Sequence, residues 1–448
     1  MDAYAHETYD VVGIGFGPSN LSLAIALEEH EANVSASPTS VAFFERQPSF
    51  GWHRSMLLPS ATMQISFLKD LATFRNPVSR YSFIAYLHTS GRLVQFVNNQ
   101  SFFPTRQEFH QYLEWAQSNF SDRVSYGSEV TAIRLPPESG LGEARHLQVE
   151  VRDGAGGGRR TVNARNVVVS TGLVPRMPAG VERDDRVWHS SEFLEKYSQV
   201  DPHDLKRVAV VGAGQSAAEV TRFLYDALPH ARVYAVIPSY GYSVADDTPF
   251  ANQVFDPAAV DDYYFGTEQT REAFWQYHKN TNYSVVDDEI IRDLYRRSYD
   301  EDVRNDWRLH FLNLTRVYDV QRAGTEVRVR LQSLLDSESQ PLDVDALVFA
   351  TGYDAMQPTE LLGDLDRYCL RDEAGRYRAE RDYRLVTTPG LPGGIYLQGG
   401  TEHTHGLTSS LLSNVAIRSG EIADSIISRR AEQGLEPVVS FDTAARTG

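Results

Sequence analysis

The stretch from Tyr9 to Leu21, YDVVGIGFGPSNL, limits what this chain can fold into more than any other. A short apolar run breaks into glycines and passes into an Ala- and Leu-rich segment, the pattern of strand, tight turn and helix. Such a turn frees backbone N–H groups and sets a helix N-terminus, with its partial positive charge, where a pyrophosphate can sit. Gly15 suits the tight turn, and Gly17 lets phosphates approach the backbone. Asn20 stands where the usual fingerprint has its third glycine, and taken alone the pattern reads as an ordinary βα loop. The next strand, VAFFER, shifts the reading, because it ends on Glu45, an acid placed to accept from ribose hydroxyls. The polar segment from Glu31 to Ser40 absorbs the long gap between turn and acid as a loop.

The same logic recurs after Arg207, in VAVVGAGQSAAEVTRFLYDAL. Gly212, Gly214 and Ala217 satisfy the full G-x-G-x-x-G/A form between a β-branched strand and a good helix. Two dinucleotide folds in one chain mean two nucleotides, and the natural pair is a flavin and a nicotinamide. The second strand of this unit, VYAVIPSYGY, carries no Asp or Glu at its end for ribose hydroxyls, which favours NADPH by omission. No Arg stands there either.

Composition narrows the classes. The 448 residues exceed what one core usually supports, so two or three domains are expected. A formal charge of −17 with no basic segment argues against nucleic acid as a partner. Cys369 is the single cysteine, which excludes disulfides, C-x-x-C redox pairs and thiolate-rich metal sites; no metal is expected. The polar N-terminus does not read as a signal peptide and no apolar run spans a bilayer, so a soluble, cytoplasmic protein is expected, without a membrane partner.

Between and after the two turns, PTRQEFHQYLEWAQSNF reads as an amphipathic helix, and VSYGSEVTAIRL, HLQVEVRD and RTVNARNVVVSTG as strands with a flexible break at GAGGG. The aromatic-rich segment after Glu45 reads as a long functional loop followed by a helix, and carries Trp52, His53, Met63, Gln64, Lys69 and Asp70. By pattern alone Lys69–Asp70 is a solvated surface pair and His53 a structural histidine. Residues 243–306 turn polar, aromatic and helical, a candidate substrate layer, although its Asn252 and Asn282 read first as turn formers. ATGY at 350–353 ends a further strand, GIYLQGG is another, and the last helix is expected to open with Thr408 and Ser409 as caps and could aim its N-terminus at a flavin edge. The tail after Arg429 reads as disordered. The expected fold is α/β: two Rossmann-like domains, 1–171 with 347–448 for FAD and 172–242 with 307–346 for NADPH, plus a smaller helical insertion at 243–306.

The motifs GFGPSNL, FFERQPSFGWH, MQISFLKDLATFRNP, YSFIAYLHTSGRLVQF, GQSAAE, ADDTPFANQVFDP, NTNYSVVDDEII, ATGY and THGLTSSLLS together resemble the flavin-dependent N-hydroxylating monooxygenases, above all the L-ornithine N5-monooxygenases, from about Tyr9 to Ile427. Lysine N6-hydroxylases share much of this framework. The resemblance implies FAD at Gly15, Gly17, Pro18 and Asn20, at Glu45, Trp52, His53 and Gln64, at Val130 on the adenine side, and at Leu407, Thr408 and Ser409 near the ring. It implies NADPH at Gly212, Ala213, Gly214, Gln215 and Ser216 and at Asn282, Tyr283 and Ser284. It gives Lys69 the substrate carboxylate, and Gln64, Asn252, Phe255, Asn282 and Ser410 the rest of the amino-acid pocket. Many relatives have an Arg for the 2′-phosphate where this chain has Pro238. The implied reaction needs no protein nucleophile: NADPH reduces FAD, O2 adds to give a C4a-hydroperoxyflavin, and the L-ornithine side-chain amine takes its distal oxygen. Met63, Phe250 and Tyr283 are expected to form an apolar rim that favours the neutral amine. The resemblance also implies a homotetramer and a role in siderophore or related biosynthesis, with lysine or a diamine as alternative substrate and an uncoupled NADPH oxidase as a lesser reading.

Overall fold

Alternation along the first strand explains the first half of the molecule. In β1 (Thr8–Ile14), Val12 and Ile14 point to one face of a sheet and Val11 to the other, all buried. On the first face they meet Val167, Val169, Ile395 and Leu397. On the second, Val11 packs with Leu23 and Leu27 of helix α1 (Pro18–Val34) and with Ile422 and Ile426 of the last helix, Val415–Glu432. The computed structural model describes residues 7–34, 38–154 and 156–432. The expected disordered tail is helical as far as Glu432, and the remainder lies outside the described residues, as do the first six residues and part of the loop before Ser40.

β1 pairs in parallel with β2 (Val41–Glu45) and with Arg159–Val169, in the register Val12 to Ala42 and Val12 to Val167. Val124–Tyr126 extends the sheet beyond β2, and Gly394–Leu397 pairs in parallel with Arg159–Val169. Leu147–Asp153 and Ser128–Arg134 add an antiparallel flank to the same strand. The expected helix forms at Arg106–Gln117, with the Thr105 hydroxyl accepting from the Glu108 N–H.

The second half is a five-stranded, all-parallel sheet, in the order Leu309–Leu312, Arg232–Val236, Arg207–Val211, Ala346–Phe349, Val187–His189. Val208, Val210 and Val348 bury against Ala217 and Leu224 of helix Gln215–Ala227 and against Ile290 and Leu294 of helix Asp288–Arg304. Their opposite faces, Val211, Leu347 and Phe349, bury against Val327, Val329 and Leu331 of a separate three-stranded antiparallel sheet spanning 315–344. Two expected boundaries therefore move. Ala346–Phe349 stands in the second sheet, beside Arg207–Val211, and not in the first. Helix Asp288–Arg304 is the crossover between two strands of that sheet, so the helical layer is 249–281, with short helices at Pro249–Asn252, Pro257–Phe265 and Glu268–His278. Composition could not assign either segment, because an apolar strand and an amphipathic helix carry no mark of which sheet they join.

The two halves meet at a small antiparallel ladder, Leu173–Pro175 with Tyr353–Ala355, where the chain crosses out of the first sheet and back. Among the described residues no helix is long and apolar enough to cross a membrane, and no group of three His, Cys, Asp or Glu is placed to hold a metal.

Candidate active site

Both glycine-rich turns lie at the C-terminal edges of their parallel sheets, where open α/β folds bind ligands. Gly15 has φ +80°, and a Cβ there would lie 2.6 Å from the Ser170 carbonyl oxygen, so only glycine fits. At Gly17 an added Cβ would meet nothing within 4 Å, which leaves the backbone open for a phosphate. Pro18 begins α1. Asn20 is fully buried and donates to the Gly15 carbonyl oxygen at 2.7 Å, while its own oxygen accepts from Ser170 Oγ at 3.0 Å and Gln398 Nε2 at 3.1 Å. It ties the turn to the ends of two neighbouring strands. The Glu45 carboxylate accepts from the Phe16 N–H at 2.7 Å and the Gln47 N–H at 2.8 Å, which sets the acid directly beside the turn. Val130 is buried in the core of the first sheet.

Trp52 and His53 form an edge-to-face pair, with His53 in the left-handed region and facing Tyr353. The residue keeps solvent-accessible surface, yet protein atoms crowd the imidazole; that desolvation, with the Arg106 charge second, pulls it down to about 4. Leu407, Thr408 and Ser409 are buried, in a 3₁₀ turn, Leu407–Ser410. They do not cap the last helix, which starts only at Val415 after a second 3₁₀ turn. Local pattern misplaced the cap because both turns break the helical spacing. Buried side-chain atoms of Thr401, Ser409, Ser413 and Asn414 have no protein partner here, and with the open face of Gly17 this donor and acceptor set fits a polar, phosphate-bearing flavin nucleotide.

In the second turn Gly212 has φ +149°, and a Cβ would lie 2.4 Å from the Ala350 carbonyl oxygen. Ala213 completes the turn, and Gly214 faces Ser284, whose Cα would lie 3.8 Å from an added Cβ, so the two segments expected to hold the nicotinamide nucleotide adjoin. Gln215 and Ser216 begin the helix. Gln215 Nε2 donates to Asp287 at 2.7 Å and to Glu219 at 3.0 Å, and its oxygen accepts from the Asp287 N–H. Gln64 Nε2 reaches the other Asp287 oxygen at 3.2 Å, so Asp287 joins the loop of the first half to the helix of the second. Pro238 is exposed, and the Ser239 hydroxyl donates to the Gly241 carbonyl oxygen.

Lys69 and Asp70 are not a surface pair. Asp70 is 2% exposed and accepts from the N–H groups of Ala72, Thr73 and Phe83, pinning the loop. Lys69 is half-buried, with its ammonium 5.7 Å from the centre of the Phe255 ring. Burial pushes its pKa down, and Asp256 partly opposes that. The Ser410 hydroxyl donates to Glu402 at 2.8 Å, and the Tyr283 hydroxyl donates to the same carboxylate oxygen; burial and then Glu402 push this phenol up. The fold thus brings Ser410 together with Tyr283, next to Asn282, and brings Lys69 together with Phe255. Asn252 directs its amide nitrogen into its own turn, to the Asp247 and Thr248 carbonyl oxygens. Of the expected apolar rim, Met63 is buried but Phe250 is 84% exposed, because it points outward from the first turn of its helix.

Residues 7–355 match the family model described as L-lysine 6-monooxygenase/L-ornithine 5-monooxygenase. The chain belongs to this family. Among solved structures it is similar to the ornithine N-hydroxylase of Kutzneria sp. 744, in its complex with reduced FAD, NADP+ and L-ornithine: 60% identity, TM-score 0.90, covering 94% of this chain and all of that one. It is also similar to the ornithine hydroxylase of Pseudomonas aeruginosa, at 36% identity and TM-score 0.87, covering 94% and 99%. A curated relative, the L-ornithine N(5)-monooxygenase of Burkholderia cepacia, is 39% identical over 96% of each chain.

Within this family member, sequence reasoning missed four polar residues that organise the site. Asp287 and Glu402 join segments that the sequence keeps far apart. Arg106 makes a two-pronged ion pair with Glu219 at 2.8 and 2.9 Å, linking the first half's helix to the second half's nucleotide helix. The available signals were faint: Asp287 precedes a helix as an N-cap residue would, and Glu402 stands two residues before the THGLTSSLLS motif.

Proposed function

We propose that this family member is an L-ornithine N5-monooxygenase, which uses NADPH, FAD and O2 to hydroxylate the side-chain amine and gives N5-hydroxy-L-ornithine. The observation that carries the reading is Lys69, a half-buried ammonium that leans over Phe255 in the helical layer, with the Asp256 carboxylate as its charged neighbour. An ammonium held there by burial and a single carboxylate neighbour is suited to the α-carboxylate of an amino acid. Anchoring one end of the substrate fixes how far its amine reaches, and one extra methylene, as in lysine, would cost about 1 to 3 kcal/mol in alignment.

FAD, when bound, supplies the oxygen-activating chemistry. The chain's own work is binding, orientation and exclusion of water. Gly15, Gly17, Pro18, Asn20, Glu45, Trp52, His53, Gln64, Val130 and Leu407 to Ser409 would hold FAD. Gly212 to Ser216 and Asn282 to Ser284 would hold NADPH. A free alkyl ammonium titrates near 10.4, so the pocket must favour the neutral amine for it to act as a nucleophile. Gln64, Asn252, Phe255, Asn282 and Ser410 complete the pocket in this reading, with Glu402 behind Ser410 as a further acceptor. The first sheet with the closing turn and last helix would be the FAD domain, and the second sheet with helix Asp288–Arg304 the NADPH domain. A cytoplasmic location follows from the need for NADPH, a homotetramer from the resemblance, and a place in siderophore or related biosynthesis from the product, whose hydroxylamine is a hydroxamate precursor.

The test is Lys69→Ala, assayed for hydroxylamine formation against ornithine, lysine and short diamines. The expected outcome is a loss of about a hundredfold or more in kcat/KM for ornithine, with flavin content retained. Unchanged ornithine turnover, or coupled product with lysine or a diamine in preference, would refute the assignment.

A further inference from the structure

Arg418, on the first turn of the last helix, is 1% exposed and has no carboxylate within ion-pair distance among the described residues. Its guanidinium donates to the carbonyl oxygens of Thr408 at 3.2 Å, Ser409 at 2.7 Å and Leu411 at 3.4 Å, to Ser19 Oγ at 3.2 Å and to Gln398 Oε1 at 3.5 Å. The acid that acts on it from its own helix, Glu421, is committed to Arg381 through two bonds of 2.9 Å. Tyr383 and His405, which face it from the neighbouring segment, are both neutral: burial pushes the phenol up and pulls the imidazole down to about 3. Arginine stays protonated in proteins, so this is a permanent charge. An unpaired buried cation is costly, and dipoles of backbone carbonyls offset only part of that cost. Among the described residues no uncommitted carboxylate lies within ion-pair distance of it.

The position of the charge indicates where one would come from. Ser19 lies in the first turn of α1, Gln398 follows the strand Gly394–Leu397, and Thr408 and Ser409 lie in the buried closing turn that Leu411 leaves; all three border the crevice at the C-terminal ends of the first sheet. We infer that Arg418 is a positioning residue that holds the closing turn by its carbonyls and whose charge favours the reduced, anionic flavin over the oxidised one. The inference rests on the FAD reading above. In the reductive half-reaction NADPH gives a hydride, two electrons and a proton, to neutral oxidised flavin; NADPH becomes NADP+ and the flavin ring system gains one negative charge. A fixed cation behind the turn stabilises that product more than its precursor.

The experiment uses the FAD-loaded protein. In the wild type, reduced anaerobically, the absorbance spectrum should show anionic reduced flavin at pH values where free reduced FAD is already protonated. Arg418→Gln should bind oxidised FAD within about threefold of wild type, bind reduced FAD about tenfold or more weakly, and show a correspondingly lower midpoint potential. Equal weakening in both redox states would assign the charge to the pyrophosphate and overturn the inference, as would an unchanged potential. If the variant does not fold, the wild-type titration decides alone: reduced flavin that is neutral at the same pH as free FAD overturns it, and anionic flavin supports it. A wild type that takes up no FAD would overturn the flavoenzyme reading itself, and this inference with it.

Discussion

The two glycine-rich turns share a backbone problem and differ in how the chain supports its solution. Each begins with a glycine that a side chain would drive into a strand-end carbonyl, of Ser170 in one case and Ala350 in the other. Beyond that they diverge. The first is laced to its surroundings by side chains: Asn20 bridges the turn and two strand ends, and Glu45 accepts from the Phe16 N–H. The second has Ala217 at the third position, packed 3.1 Å from where a Gly212 Cβ would stand, and an exposed proline where an acid or a base would read the ribose. A turn fixed in advance suits a cofactor that stays through turnover, and a barer one suits a nucleotide that comes and goes.

The largest effect should come from the joint between these regions. Arg106→Ala would leave the Glu219 carboxylate, 2% exposed, without its cation, at a cost of about 3 to 5 kcal/mol. Urea denaturation should show the loss, and a paired apolar replacement, Arg106→Met with Glu219→Leu, should recover most of it. A cost below 1 kcal/mol for the single change would mean that the halves are held together elsewhere.

Asn20 tests whether the first turn is a degraded fingerprint or a differently built one. Asn20→Gly restores the usual third glycine. It also strands Ser170 Oγ and leaves Gln398 Nε2 with the Ser19 carbonyl oxygen alone, so stability should fall by about 2 kcal/mol and FAD should be lost more readily. If the variant is as stable as wild type and retains FAD as well, the side-chain lacing is incidental. Ala217→Gly, its counterpart, loses one methyl in a helix and should cost about 1 kcal/mol.

Acid should separate the halves as well. The His405 imidazole, buried in the first half, donates to the Arg381 carbonyl oxygen and titrates near 3, against 6.5 for its ordinary value. The unfolded chain therefore binds one more proton than the folded chain between those values, so stability falls as pH drops from 6.5 toward 3, by up to about 1.4 kcal/mol per pH unit from this group. His189, buried in the second sheet, is shifted in the same direction by burial. His405→Gln should flatten the acid limb of denaturation midpoint against pH, and by more than His189→Gln; equal flattening would remove the distinction.

Much of this was legible in the sequence, for physical reasons that can be named. Both turns, the strands around them and helix Arg106–Gln117 are specified by local chemistry: a glycine no other residue can replace, a period-two or period-3.6 apolar pattern, a Thr105 cap. What was not legible depends on partners distant in the chain. Asp70 looks like half of a surface pair until the Phe83 N–H arrives to bury it. Glu402 and Tyr283, Gln64 and Asp287, and Arg418 and Ser19 are each separated by more than a hundred residues. Thr408 and Ser409 have the composition of a helix cap, but the helix waits until Val415 because two 3₁₀ turns intervene.

The smallest expected effect bears on the barer turn. Strand Arg232–Val236 ends beside the second turn, Gly212 N–H donating to the Val236 carbonyl oxygen, and Pro238 follows two residues later with its ring exposed. Ser239 spends its hydroxyl on the Gly241 carbonyl oxygen, which leaves the exposed, neutral Tyr240 and no cation among residues 236–240 to meet a 2′-phosphate. Pro238→Arg places a guanidinium there, able to make a charge-assisted, two-pronged contact with the phosphate that NADPH has and NADH lacks. Because the new side chain is exposed, screening limits the gain, and the ratio of kcat/KM for NADPH over NADH should rise by about tenfold or less, through KM. Fold and flavin content should not change. A ratio that stays where it was would mean that the 2′-phosphate is read from another segment, with Ser284, beside Gly214, the first position to substitute.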